Sequence, residues 1–148
     1  MTNRFKPTEA MLESERAKQR ERVLMVRPQQ DWLLYALKLE QGKYYIGRTH
    51  DVLWRYKTHA EGKGSQWTSK HRPLALIETK RIEDSLRDKP DLAESKLTIE
   101  YMARYGWENV RGGDFTSVDD ITIETKLVAS GLMPVIETLK LRLPTRNR

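Results

Sequence analysis

The chain has 148 residues, a formal net charge of +6, an isoelectric point near 9.6 and no cysteine. That length fits one domain with appendages, and the missing thiols exclude a disulfide framework, a cysteine nucleophile and cysteine-ligated zinc. No run approaches the roughly eighteen apolar residues of a membrane span and no charged-then-apolar leader opens the sequence, so we expect an intracellular protein, cytoplasmic or nucleoid-associated, with no membrane partner.

In chain order, residues 1–30 form a polar, charged arm with Arg16, Lys18, Arg20, Arg22 and Arg27 as a basic run interrupted by glutamates. Pro7 to Met25 has helix-forming composition with few apolar residues, and Pro28 should end it. The arm reads either as a mobile or solvated helix, or as a basic element that tracks a phosphate backbone or mediates assembly. Trp32 to Leu39 and Lys43 to Arg48 are apolar-aromatic runs separated by Glu40, Gln41 and Gly42, which predicts a β-hairpin. A three-residue loop with Gly42 left-handed puts Tyr35, Leu37 and Tyr45 on one face and Leu34, Ala36, Tyr44 and Ile46 on the other; a two-residue loop would split the tyrosines.

Thr49 or Asp51 can cap a helix reaching Ala60. Leu53, Tyr56 and Ala60 recur at helical spacing and are predicted to face the core, while Arg55 and His59 lie four apart on a neighbouring face. Glu61 to Pro73 reads as a loop, with Trp67 more suited to pinning it to the core than to stacking on a base. Leu74 to Thr79 is predicted to be a third, central strand. A charged connection from Lys80 to Lys89 follows, then a helix opened by Pro90 or Asp91 and stopped by Gly106. On that helix Glu94 shares the stripe of Leu97, Tyr101 and Tyr105, where a carboxylate is unusual unless paired or metal-bound. Beyond it, Asn109 with Gly112 and Gly113 marks a turn, which either caps its own backbone or approaches phosphate closely. Thr116 or Ser117 can cap a helix from Val118 to Ser130, Gly131 can end it, and Pro134 can start another over Val135 to Leu143.

The positive charge is concentrated. Arg48, Arg55, Lys57, Lys63, Lys70 and Arg72 face only Asp51 and Glu61 in their segment, which also holds all three histidines. Such a stretch suits a polyanion, since phosphate neutralisation is the main sequence-independent source of nucleic-acid affinity. There is no Walker loop, HExxH, zinc-finger spacing or nucleophile elbow.

The segment Trp32 to His59 resembles the GIY-YIG nuclease family. Leu33, Leu34 and Tyr35 stand where the first tripeptide of that name belongs, and Tyr45, Ile46 and Gly47 match the second outright. Arg55 follows eight residues past Gly47, and His59 four later. The string GKGSQWTSKHRP is similar to the branch that contains small stand-alone proteins and structure-specific nucleases. The likeness is concentrated in Trp32 to Pro73 and extends to Gly113. It implies an α+β fold, a small three-stranded antiparallel sheet flanked by helices, with a nuclease core over 31–113, the N-terminal arm before it and a C-terminal helical extension, 114–148, packed on the core.

The resemblance also implies chemistry: divalent-metal-dependent hydrolysis of phosphodiester bonds in DNA. Glu94 would hold a single Mg2+ (or Mn2+), and Arg55 would grip the scissile phosphate. Tyr35 would act as general base, with Tyr45 and His59 orienting water or relaying the proton, although His59 is intrinsically the better base near neutral pH. Arg48, Lys63, Lys70, Arg72 and Asn109 are the candidate nucleic-acid contacts. The substrate form stays open among single strand, duplex, branch and RNA, and the chain could act as a monomer or a homodimer. The competing readings are a non-catalytic nucleic-acid-binding module of the same fold, an RNA-directed nuclease, and a purely structural interaction protein.

Overall fold

A computed structural model describes residues 8–26 and 31–144. The chain divides into two compact units, 1–31 and 32–148. The described part of the first is one helix, α1 (Glu9–Val26), entered through a Met11 N–H bond to the Thr8 hydroxyl and carrying exposed Arg16–Glu13 and Lys18–Glu15 pairs, each at 3.5 Å. Pro28 and Arg27 lie outside the described residues, as do the side chains of Arg20 and Arg22.

The second unit begins with the hairpin of β1 (Leu33–Leu39) and β2 (Tyr44–Thr49). Gln41 and Gly42 both take left-handed conformations, at φ 59° and 68°, and Leu37 pairs with Tyr45 and Tyr35 with Gly47. The three-residue loop therefore sets the register that places both tyrosines on one face. Asp51 caps α2 (Val52–Ala60) by accepting from the Trp54 N–H at 3.0 Å. A five-residue helix, α3 (Gln66–Lys70), interrupts the expected loop, because the Ser65 hydroxyl caps it by accepting from the Thr68 N–H. Next come β3 (Pro73–Arg81), α4 (Pro90–Tyr105), β4 (Val110–Gly112), α5 (Asp120–Ala129) and α6 (Met133–Arg142).

The sheet has four strands in the order β3-β1-β2-β4, with β4 parallel to β2 and the other pairings antiparallel. Two expectations are corrected here. The sheet is not three-stranded: the supposed turn around Val110 to Gly112 adds a short strand, too brief to show any period in the sequence. Nor is Leu74–Thr79 central; β3 is an edge strand opened by proline, with two register shifts against β1 and with Leu74 and Ile77 exposed, as edges permit.

The two sheet faces carry separate apolar clusters. Leu34, Ala36 and Ile46 pack with Leu97 and Met102 of α4, Ile123 and Leu127 of α5 and Ile136 of α6. Tyr35, Leu37, Leu39, Tyr45 and Trp67 form the other cluster, covered by Val52 and Tyr56 of α2. The inward stripe of α2 is thus Val52, Tyr56 and His59, whereas Leu53 is 80% exposed and Ala60 is exposed. The face of α2 is rotated from the expected one, because a histidine rather than an alanine is buried. Likewise α5 starts at Asp120, not Val118, since the Asp119 carboxylate accepts from the Thr122 N–H and so marks the cap.

Arg111 ties this architecture together. It pairs with Tyr45 across β2 and β4, so it lies on the tyrosine face, and it is wholly buried. Its guanidinium donates to the carbonyls of Ser117 (2.6 Å) and Trp107 (2.9 Å) and to the Asp120 carboxylate (2.6 Å), and stacks 4.3 Å from the Trp67 ring centre. Burial lowers its pKa, with Asp120 opposing. Arg111→Met removes these donors while keeping an apolar stem, and should cost on the order of 2–3 kcal/mol in urea denaturation. A loss below about 0.5 kcal/mol, typical of a neutral surface change, would contradict this role.

Candidate active site

The tyrosine face brings the predicted groups together. His59 of α2 is fully buried and its Nε2 lies 2.8 Å from the Tyr35 hydroxyl. Its Nδ1 lies 2.7 Å from the Thr68 hydroxyl, which itself donates to the Ser65 carbonyl at 3.1 Å. The Thr68 hydroxyl also lies 3.1 Å from the Ser65 hydroxyl, and with its proton on the Ser65 carbonyl its oxygen accepts from His59 Nδ1. That arrangement corresponds to the neutral tautomer with hydrogen on Nδ1, in which Nε2 accepts the Tyr35 proton while the phenol oxygen accepts from Arg55. Arg55 Nε reaches the same phenol oxygen at 3.4 Å, and its guanidinium also meets the Tyr45 hydroxyl.

Burial dominates the electrostatics. It raises the Tyr35 pKa well above the ordinary phenol value, with Tyr45 adding to the rise and Arg55 opposing it. Burial and then the Arg55 charge lower His59 to about 4. At neutral pH both rings are thus uncharged, and the proton rests on the phenol.

Two glycines make these contacts possible. A methyl group at Gly47 would land on the Tyr35 phenol, and one at Gly64 on the His59 ring. Sequence reasoning assigns Gly64 only to a loop; the signal for its larger role is the GKG string just beyond His59, where close backbone approach needs a residue without Cβ.

Glu94 comes from α4, on the other side of the sheet, and meets the site at the edge of β2. The pairing with β4 stops at Ile46, so the backbone beyond it is free on that side, and the Glu94 carboxylate accepts from the Arg48 N–H. Burial raises its pKa; Arg48 opposes, while Asp114 and Asp91 push it up further. Its charge in turn raises the pKa of both Tyr35 and Tyr45. Among the described residues no three His, Cys, Asp or Glu side chains gather to hold a metal. Even so, a half-buried carboxylate whose ionisation is opposed by two others fits a hard divalent ion that keeps most of its water.

The remaining predicted residues are dispersed. Arg48 joins the site's rim, 3.4 Å from Asp91 and 4.9 Å above the Trp32 ring. Lys63, Lys70 and Arg72 are exposed, with Lys63 3.8 Å from Glu61. Asn109 is not brought to the tyrosines: it caps α4 by donating to the Tyr105 carbonyl and accepts from Lys43, at the opposite end of β2 from Arg48. Trp67 is the pin expected of it, 2% exposed with its indole N–H donated to the Tyr44 carbonyl.

The family model described as "GIY-YIG catalytic domain" matches residues 31–97, spanning the hairpin, both tyrosines, Arg55, His59 and Glu94. The chain carries a GIY-YIG domain. Similar relatives include UPF0213 protein YazA of Bacillus subtilis, 42% identical over 29% of this chain and 43% of that protein. A UPF0213 protein of Cupriavidus pinatubonensis is 37% identical over 33% of this chain and 54% of its own length. One of Halalkalibacterium halodurans is 41% identical over 31% and 49% respectively. The chain spans about half the length of these relatives. No solved structure matches. The buried Arg111, together with β4, α5 and α6, lies beyond the matched span of the GIY-YIG domain.

The buried neutral His59 makes stability depend on acid. Between its ordinary value of 6.5 and its folded value of about 4, the unfolded chain binds a proton that the native state refuses. Stability should therefore fall as pH drops through that window. The melting temperature of His59→Gln should change less steeply there, with a residual slope from His71, whose pKa is also lowered. Parallel pH profiles for both proteins would contradict the neutral assignment.

Proposed function

We propose that this protein is a divalent-metal-dependent endonuclease that hydrolyses phosphodiester bonds in DNA. The observation that carries the reading is the convergence of Tyr35, His59 and Arg55 on one phenol oxygen, with the Glu94 carboxylate beside them. A binding module needs charge at its surface, not a satisfied proton path under it.

The chain's residues divide the work. In this reading the Tyr35 hydroxyl accepts a proton from the attacking water as substrate binds and passes its own to His59 Nε2, whose other nitrogen is held by Thr68. The resting proton distribution prevents a standing phenolate, and the negative charge of an incoming phosphodiester favours the imidazolium that forms behind it. Arg55 grips the scissile phosphate, and Tyr45 helps to aim its guanidinium. Glu94 would hold Mg2+ or Mn2+, which when bound stabilises charge on the phosphate and the departing oxygen. Arg48, Lys63, Lys70 and Arg72 supply phosphate contacts around this centre.

We take 31–113 as the catalytic core and 114–148 as its helical support, with residues 1–30 as a basic arm. Two copies would be needed for a simultaneous double-strand cut, whereas one would nick. We assign the protein to the cell interior as part of this reading; among the described residues no helix is long and apolar enough to cross a membrane.

The test is cleavage of labelled single-stranded, duplex and branched DNA and of RNA, with magnesium, manganese or chelator. Wild type should cut DNA only with metal, and Glu94→Gln, Arg55→Ala and Tyr35→Phe should each lose at least about 10²-fold in rate with folding retained. Preferential RNA cutting would reassign the substrate. Normal cutting by Glu94→Gln in magnesium would overturn the site, and binding without cutting would favour the non-catalytic module.

A further inference from the structure

The chain has four tryptophans, and the fold uses three of them. Trp32 stacks on His50 with ring centres 3.7 Å apart, under the Arg48 guanidinium. Trp67 is buried and Trp107 packs against the core cluster. Trp54 is 60% exposed, and Leu53 beside it is 80% exposed.

The backbone beneath Trp54 is nonetheless fixed on both sides. Its N–H is held by Asp51 at 3.0 Å and its carbonyl by the Thr58 hydroxyl at 2.9 Å. The next residue is Arg55, and Lys57, with 76% of its side chain exposed, lies on the same outer part of α2. Lys57 is one turn on from Trp54 and 3.9 Å from Glu61, while the adjacent Arg55 turns its guanidinium to the Tyr35 phenol. An exposed apolar ring on a fixed helix, next in sequence to the arginine proposed to grip phosphate, is suited to a ligand that is both planar and anionic.

We propose that Trp54 is a stacking platform for an unpaired nucleobase beside the scissile phosphate, so that the substrate of this site is a nucleic acid with single-stranded or splayed nucleotides. This rests on the nuclease reading above. In an intact duplex each base face is covered by its neighbours, so the ring gains a partner only where a nucleotide is unpaired. Stacking of this kind tolerates any base, since every base presents a π-face.

The experiment uses the full chain carrying Glu94→Gln, with chelator present, so that binding is read without cutting. Anisotropy is measured for a fluorescein-labelled single-stranded oligonucleotide and for the blunt duplex of the same sequence. Adding Trp54→Ala should weaken single-strand binding about tenfold to a hundredfold, lower duplex binding by no more than about twofold, and abolish most of the tryptophan quenching seen on single-strand binding. Trp54→Phe should restore most of the preference. Equal weakening on both probes, or none on the single strand, would overturn the proposal, the latter leaving the patch to a protein partner. If wild type cuts DNA with metal while Trp54→Ala keeps full single-strand affinity, the stacking role alone falls. If the protein neither binds nor cuts either probe, the nuclease reading falls and this one with it.

Discussion

The hydrogen bond between the Tyr35 hydroxyl and His59 Nε2 is made where neither ring is exposed to water, the residues being 1% and 0% exposed. Burying two such groups is tolerable only if their other polar atoms are also satisfied. Thr68 must then meet Nδ1, so α3 must exist and be capped by Ser65; Gly64 must lack a side chain so that the imidazole can lie against it; and Gly47 must do the same for the phenol. Among the described residues no buried side-chain nitrogen or oxygen lacks a partner. The glycines of the motif are thus consequences of where two rings have to sit.

A second constraint is the shortness of β4. Three residues suffice to place Arg111 beneath Trp67, and by stopping opposite Ile46 they leave the far end of β2 open to Glu94. A longer strand would pair the Arg48 backbone and displace the carboxylate. Trp67 and Thr68 are neighbours in α3, so the C-terminal segment that Arg111 binds through Ser117 and Asp120 is linked by direct contacts to the support of His59.

Much of this is legible in the sequence. The hairpin follows from alternation and a glycine turn, while the choice between its two registers is made by the left-handed Gln41 and Gly42. Capping chemistry narrows the helix starts to Thr49 or Asp51 and to Pro90 or Asp91, and marks Gly106 as a stop. The likeness of Tyr35, Tyr45, Arg55, His59 and Glu94 to a known motif points to the same cluster. What cannot be read is set by tertiary contact. Periodicity misjudges the inward face of α2 because it treats histidine as polar, whereas this one is buried by a hydrogen bond at each nitrogen. β4 escapes because three residues carry no period, and Arg111 because nothing local distinguishes a buried arginine from a turn cation. The place of Asn109 after α4 suggests the site, but its amide is spent on the Tyr105 carbonyl and on Lys43.

The tautomer of His59 decides which way a proton can move between the two buried rings, and the proposed proton path depends on it. Nitrogen-15 NMR of the histidine side chains at neutral pH measures it. The network predicts an uncharged ring with hydrogen on Nδ1 and a bare Nε2 that accepts from Tyr35. A ring with hydrogen on Nε2, or an imidazolium, would contradict the assignment and remove His59 as the proton's destination.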